Sequence, residues 1–155
     1  MKTLYMLIGV PGSGKSTWIN SQSFDKDTTV ILSTDNHIEK IASRQNKTYS
    51  EVFKDAFDEA NANMNLDLAH AIKNGYDIVW DQTNLNPKSR KNKLRSVPRY
   101  YKKIAVVFKI PEPTELRRRL DSRHGKNISP ELSDIMISQF AMPTSQEGFD
   151  QIIVA

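Results

Sequence analysis

The chain has 155 residues, and its apolar and charged fractions are those of one globular domain with enough core to fold alone. It contains no cysteine, which excludes disulfides and thiolate zinc sites, and His37, His70 and His124 are too scattered to suggest a histidine metal centre. No apolar run reaches membrane-spanning length, and Met1-Lys2-Thr3 runs straight into a strand with no room for a signal peptide, so the expected compartment is the cytosol. The net charge of +4 is modest, but the charge is unevenly spread. No Asp or Glu lies between Asp81 and Glu112, while Lys88, Arg90, Lys91, Lys93, Arg95, Arg99, Lys102 and Lys103 all do. Such asymmetry points to a phosphate-rich partner.

Thr3 to Ile8 reads as a buried strand. Gly9-Val10-Pro11-Gly12-Ser13-Gly14-Lys15-Ser16 follows it, and Thr17 comes next. The stretch fits G-x-x-x-x-G-K-[ST] at every fixed position. Lys15 to about Gln22 can be helical, with Trp18 and Ile19 facing the sheet. Strand, glycine loop and helix are the context this motif needs. Gly12 and Gly14 allow a sharp turn with no Cβ in the way. The loop amides, including that of Ser13, then form an anion-binding concavity, and the helix start adds its positive end. Lys15 offers a charge to β- and γ-phosphates, and Ser16 a hydroxyl to Mg²⁺. The loop is therefore a candidate nucleotide-binding site, with ATP and Mg²⁺ as its cofactors.

Val30 to Leu32 is a second short strand ending at Ser33-Thr34-Asp35. Ligands of open α/β sheets bind beyond the carboxyl ends of strands, so Asp35 stands where chemistry is done, although it could equally cap a helix over 36–42. Ser50 is the expected cap of a long helix closed by Asn74-Gly75. Phe53, Phe57, Ala60, Met64, Leu68 and Ala71 step along it by three and four, which predicts one apolar stripe on the sheet with both Phe residues in the core. Asp77 to Asp81 is a third strand that ends in an acid and resembles a Walker B element. Asn86 and Pro87 open a basic helix to about Ser96. Ile104 to Ile110 is a fourth strand, Thr114 to about Ser122 a basic helix, and Glu131 to about Phe140 a last helix with Leu132, Ile135, Met136 and Phe140 on one side. Ile152 to Val154 is a candidate fifth strand. Strands alternating with helices imply a three-layer α/β domain: a parallel sheet of four to five strands, helices on both faces, and a helical lid at about 117–130.

A phosphate cradle alone does not choose a reaction. A GTPase should offer Asn-Lys-x-Asp, and both Asn46-Lys47-Thr48-Tyr49 and Asn92-Lys93-Leu94-Arg95 lack the acid. Motor ATPases are normally larger. A small kinase needs a base for the attacking hydroxyl and positive charge on the migrating phosphoryl. Asp35 is the candidate base. Arg123, beside Gly125 in a basic loop, is the candidate cation on a mobile lid. Arg117, Arg118 and Arg119 cannot all point inward; one or two, with Arg119 the choice, are expected at ATP.

The glycine loop, the Asp35 turn, Asp81-Gln82-Thr83-Asn84 and the basic lid resemble the 5′-kinase domain of phage and animal polynucleotide kinases. Gln139-Phe140-Ala141-Met142-Pro143-Thr144 followed by Glu147-Gly148-Phe149 is similar to the ending of the animal kinase domain. The resemblance covers nearly the whole chain and implies a single P-loop kinase domain over 1–155. It implies transfer of the γ-phosphoryl of ATP to the 5′-hydroxyl of DNA or RNA. Carried over by position, Gly12, Ser13, Gly14, Lys15, Ser16, Thr17, Arg119 and Arg123 bind ATP and Mg²⁺, with Ser16 at the metal. Lys15, Asp35 and Arg123 are catalytic, and Asp35, Asp81, Thr83, Asn84 and Arg90 meet the acceptor. Two departures matter. Phage members typically carry an Arg three residues after the catalytic Asp, which grips the acceptor's 3′-phosphate; here that position is Ile38, and Lys40, Arg44 or the basic helix from Lys88 could take over its task. The acid near Thr-Asn also varies by one position among members, which makes the role of Asp81 less fixed than that of Asp35. The letters Asp-x-Asp-x-Thr occur only at Asp25 to Thr29, in the polar loop ahead of the second strand rather than at a strand's carboxyl end, so no phosphatase activity is expected. Two other readings fit the same residues: a kinase of a small metabolite or nucleoside, and an ATP-dependent nucleic-acid-binding module without phosphotransfer.

Overall fold

The computed structural model describes residues 2–155, so the reading of Met1 lies outside the described residues. Five strands form one parallel sheet in the order β2-β3-β1-β4-β5: β1 Thr3–Ile8, β2 Thr29–Leu32, β3 Asp77–Trp80, β4 Lys102–Val107 and β5 Gln151–Val154. Six helices connect and cover them: α1 Lys15–Ser21, α2 Thr34–Arg44, α3 Tyr49–Asn74, α4 Pro87–Ser96, α5 Pro113–Asp121 and α6 Pro130–Gln139. This is the α/β fold with a parallel sheet of four to five strands expected from the sequence. Among the described residues, no helix is long and apolar enough to cross a membrane.

Parallel strands are buried on both faces, which is why β1, β3 and β4 read as nearly continuous apolar runs. Leu4, Met6, Ile8, Ile78 and Trp80 pack under α3 and α4 together with Met64, Leu94 and Phe149. Leu7, Val79, Val106 and Phe108 face the other way, against Trp18 and Ile19 of α1. Each connection ends in local chemistry that fixes it. The Asn36 N–H donates to Ser33 Oγ at the start of α2 (3.1 Å), and Gly75 closes α3 at a φ of +66°. Asn86 caps α4, with Pro87 in its first turn.

Two sequence expectations are corrected along α3. Its cap is Thr48, which exchanges bonds with Glu51 (3.3 and 2.9 Å), not Ser50. Ser50 Oγ instead accepts the Asn127 N–H at 2.9 Å. Phe53 and Phe57 are not core: each is 42% exposed, and the buried positions are Val52, Ala56, Ala60, Met64 and Ala71. The first half of α3 packs on Ile38, Ile41 and Ala42 of α2 rather than on the sheet, and this turns the two rings outward. A similar split affects α6. Met136, Ile137 and Phe140 pack on Val10, Leu85, Leu116 and Leu120, whereas Leu132 and Ile135 are exposed.

The segment after α6 is held by a buried charge pair. The Arg90 guanidinium, with no exposed surface, donates to both Glu147 oxygens (2.8 and 3.1 Å) and to the carbonyls of Asn84 and Ala141 (2.9 and 3.1 Å). Glu147 also accepts the Thr144 N–H at 2.8 Å, and Phe149 is buried in the core behind it. The Pro-Thr…Glu-Gly-Phe ending is therefore a clamp that ties the last strand to α4.

Candidate active site

The strand order places three carboxyl ends side by side. Asp35 follows β2, Asp81 follows β3, and the glycine loop follows β1. The Gly9 N–H donates to the Thr83 carbonyl at 3.0 Å, which pins the start of the loop to the β3 turn. A cavity of about 790 Å³ opens here. Gly12, Ser13, Gly14, Lys15, Ser16, Thr17, Asp35, Asp81, Thr83, Arg119 and Arg123 all line it. The sequence reading thus gathers at one place, with two exceptions given below.

The loop fits a phosphate on this structure's own terms. Gly12 and Gly14 adopt φ of +83° and +103°, a backbone that side chains rarely take, and a Cβ at Gly14 would meet nothing within 4 Å. Ser13 Oγ is a buried hydroxyl with no hydrogen-bond partner, an atom whose deficit a ligand oxygen would satisfy. Lys15 Nζ donates to the Gly9 carbonyl at 2.7 Å and to the Val10 carbonyl at 3.3 Å. Burial pushes its ammonium down to about 8 despite the nearby Asp81 and Asp35. A cation held partly desolvated gains most from an arriving anion. Ser16 and Thr17 stand exposed at the mouth of α1. Among the described residues no cluster of three metal-ligating side chains occurs, so Mg²⁺ would be held by Ser16 together with phosphate oxygens.

Both carboxylate oxygens of Asp35 are engaged. Tyr49 donates its hydroxyl to Oδ1 at 2.6 Å, and Lys126 Nζ donates to Oδ2 at 2.8 Å. Burial pushes this carboxyl up, but Lys126, Tyr49 and Lys15 outweigh burial and hold it below the ordinary range. Asp81 goes the other way: burial raises it, Lys15 offsets part of the rise, and the charge of Asp35 adds to it. Two neighbouring carboxyls are therefore driven apart in acidity, a pattern typical of acid–base sites.

A second cavity of about 510 Å³ lies on the far side of Asp35. Pro11, Asp35, Asp81, Gln82, Thr83 and Lys126 line both cavities. The far walls are Tyr49, Phe53 and Phe57 from α3 and Ile128, Leu132 and Met136 from the lid and α6. The three rings form a ladder, with centroids 5.6 and 5.8 Å apart. Lys126 sits 4.4 Å above the Tyr49 ring and is the only cation lining this cavity among the described residues.

The loop bearing Arg123 and Lys126 is closed onto α3. The Ser50 N–H donates to the Gly125 carbonyl at 3.0 Å. Gly125 has a φ of +72°, and a Cβ there would stand 2.9 Å from Thr48 Cβ. Arg119 donates to the Gly12 carbonyl at 2.9 Å and to Glu115, so it braces the glycine loop. Arg117 and Arg118 are paired to Asp121 and Glu115.

Asn84 and Arg90 are the exceptions, and neither can meet an acceptor. Asn84 is buried in the left-handed region (φ 49°), donates to the Leu7 carbonyl at 2.8 Å and accepts from Lys93 Nζ. Arg90 is consumed by the clamp on Glu147. Lys40 and Arg44 line neither cavity. Sequence reasoning missed Tyr49, Phe53, Phe57 and Lys126 as site residues. The i, i+4 spacing of the three rings was a visible signal, but it is also the spacing of a core stripe.

The profile of a family described as AAA domain matches residues 4–142. The chain is similar to one in the structure of the Pnkp1/Rnl/Hen1 RNA repair complex, at 23% identity and a TM-score of 0.67 over 89% of this chain. It spans only 43% of that protein's length. It is similar to a putative kinase from Chloroflexus aurantiacus at 17% identity and a TM-score of 0.70, over 99% of this chain and 84% of that one. A gluconokinase from Sinorhizobium meliloti matches at 15% identity and a TM-score of 0.53, over 98% and 81%. At such identities the likeness concerns the fold.

Proposed function

The chain belongs to this AAA domain family, and from that premise we propose that it is an ATP-dependent polynucleotide 5′-hydroxyl kinase. The observation that carries the reading is the pair of cavities joined at Asp35: one cationic and rich in loop amides, the other walled by aromatic rings. Gluconate-like acceptors need cations and many hydrogen-bond partners. A wall of Tyr49, Phe53, Phe57, Leu132 and Met136 suits the flat face of a nucleobase instead.

In this reading Gly12, Ser13, Gly14 and Thr17 hold the phosphates of ATP, and Lys15 neutralises the β- and γ-phosphates. Arg119 acts through the Gly12 carbonyl, keeping the loop in shape. Ser16 would hold Mg²⁺, which would supply charge neutralisation at the phosphates. The first nucleoside stacks on the ring ladder and presents its 5′-hydroxyl to Asp35. Asp35 is already ionised at neutral pH, so it accepts the hydroxyl proton as the oxygen attacks the γ-phosphorus. The bond from that phosphorus to the β-bridging oxygen breaks, and ADP leaves. Arg123, on the loop that also carries Lys126, offsets charge on the migrating phosphoryl. Asp81 and Thr83 border the hydroxyl's path.

A smaller acceptor has one observation in its favour. Ile38 is fully buried where the phage pattern has Arg, and Lys126, the sole cation at the acceptor cavity, is tied to Asp35. No other cation among the described residues lines that cavity to grip a 3′-phosphate, and a free nucleoside or another flat alcohol carries none. Transfer of labelled γ-phosphate to a 5′-OH oligonucleotide, compared with a free nucleoside, tests both readings. Label on the oligonucleotide supports the first. Label on the nucleoside alone replaces it with the second, and label on neither removes both.

A further inference from the structure

A third cavity, of about 620 Å³, lies along α4 and shares no lining residue with the other two. Lys91 and Arg95 line it from the helix, Arg99 from the turn after it, and Lys103 from the start of β4. Among the described residues none of these four side chains makes an ion pair or a hydrogen bond to protein. The contrast with α5 is direct, because there Arg117, Arg118 and Arg119 each have a carboxylate partner. The single acid of the groove, Glu147, is spent. Arg90 holds both its oxygens and Thr144 adds a third bond, which together keep the carboxyl below its ordinary range although burial pushes it up. The groove therefore presents four cationic side chains without a carboxylate partner of their own among the described residues, although Asp150 accepts the Lys103 backbone N–H at 2.8 Å beside it. Tyr100, 62% exposed, follows Arg99 directly in the chain. The basic helix of the sequence thus divides in two: Arg90 and Lys93 turn inward to structural work, and Lys91 and Arg95 join residues beyond the helix on a solvent-facing wall.

We propose that this groove binds the sugar-phosphate backbone of a single-stranded polynucleotide, away from the end held at Asp35. The proposal rests on the polynucleotide reading above. Its physical content is a row of point charges with no inward partner, which gains by releasing counterions from phosphates. It also answers the lack of any phosphate grip at Ile38: affinity for a long acceptor comes from the groove, not from the first nucleotide. One wall of the groove, Gln146 to Gly148, lies on the segment that continues from α6, and α6 supplies Leu132 and Met136 to the acceptor cavity.

The test compares the wild type with a variant carrying Lys91→Ala, Arg95→Ala, Arg99→Ala and Lys103→Ala. With a 5′-OH oligonucleotide of about 20 nucleotides, KM should rise at least about tenfold at unchanged kcat, and the log–log salt slope should flatten by about 0.7 per cation removed. A dinucleotide acceptor should be phosphorylated equally by both proteins. A charge-keeping variant, Lys91→Arg with Arg95→Lys, should behave as the wild type. Unchanged KM and salt slope on the long acceptor would overturn the groove while leaving the kinase standing. If the wild type phosphorylates no 5′-OH end, the functional reading is what has failed. Fluorescence anisotropy with a labelled 5′-phosphorylated oligonucleotide then decides the groove alone. Weaker binding by the variant supports it; equal binding, or none by either protein, overturns it. Should the fourfold variant melt early, the pair Arg95→Glu with Arg99→Glu serves the same comparison.

Discussion

On the glycine-loop side of Asp35 the wall is backbone amide, hydroxyl and ammonium. On the far side it is aromatic and aliphatic. The phosphate cradle of the first wall is one continuous stretch, Pro11 to Thr17, whose geometry follows from residue type almost alone, and Arg119 and Arg123 close it from the lid side. The second is assembled from α3, the lid loop and α6, which are distant in sequence and meet only because α2 lifts the start of α3 off the sheet. A phosphate has the same shape in every nucleotide, so its cradle can be local and fixed. An acceptor differs from enzyme to enzyme, and its wall comes from the parts of the fold that vary in packing. The difference implies that damage to the two walls should appear in different kinetic constants.

The largest expected effect is at the atom where the walls meet. Asp35→Asn keeps the size of the side chain and removes the base. In the proposed reaction kcat should fall by about 10²–10⁴, with ATP affinity measured by calorimetry close to that of the wild type. A kcat within a few-fold of the wild type would sink Asp35 as the base and shift attention to Asp81, whose pKa is already moved upward by burial.

Arg90→Met comes next, and it acts on stability rather than on either wall. The substitution leaves the half-buried Glu147 and the carbonyls of Asn84 and Ala141 without their partner, a situation that costs up to about 3–5 kcal/mol. The melting temperature should drop by on the order of 10 °C, while the KM for a short acceptor in the folded fraction stays put. A normal melting curve with a raised KM would show that Arg90 reaches the acceptor after all, as its sequence position beside Asn84 and Pro87 suggests.

That pairing marks how far the sequence could be read. The strands themselves, the glycine loop and the positions of Asp35 and Asp81 at strand ends were legible, because apolar runs and glycine spacing are consequences of local backbone rules; the order of the strands in the sheet was not. The sheet with helices on both faces followed from alternation of period. What was not legible is the direction of side chains on amphipathic surfaces. Phe53 and Val52 are neighbours, and a one-residue rotation of α3 decides which is core; that rotation is set by Ile38 and Ile41, not by α3 itself. Arg90 and Lys91 differ in the same way. A basic run on a helix announces charge, and only the placement of Glu147, far along the chain, shows which member is buried.

A smaller effect is expected at the ring ladder. Phe53→Ala and Phe57→Ala each remove one stacking face that is already partly exposed, so little core is lost. Stacking of a base on an aromatic ring contributes about 1–3 kcal/mol, so the acceptor KM should rise by roughly five- to a hundredfold, with the KM for ATP unchanged. Equal changes in both constants would mean that the two walls are not separable. No change with an oligonucleotide would mean that the base lies elsewhere.

The smallest effect is a titration, and it isolates the phosphate wall. Lys15 is held at about 8 by burial, more than two units below an ordinary lysine. Below pH 8 the ammonium is charged and can meet phosphate. As pH rises through 8 the unliganded protein loses this charge, whereas bound phosphates favour keeping it. ATP affinity should therefore be flat near neutrality, above the titration of the terminal phosphate at about 6. Above pH 8 it should weaken, by at most about tenfold per unit, with proton uptake on binding visible in calorimetry across buffers of different ionisation enthalpy. Lys15→Arg places a group there that does not titrate in this range, so the slope should vanish even if affinity is lower at every pH. Tyr49 and Asp35 do not confuse the result, because burial and the bond to Asp35 drive the phenol upward and the carboxyl stays below its usual range. An identical slope in the arginine variant would assign the titration to another group, and the depressed lysine would then have no part in nucleotide recognition.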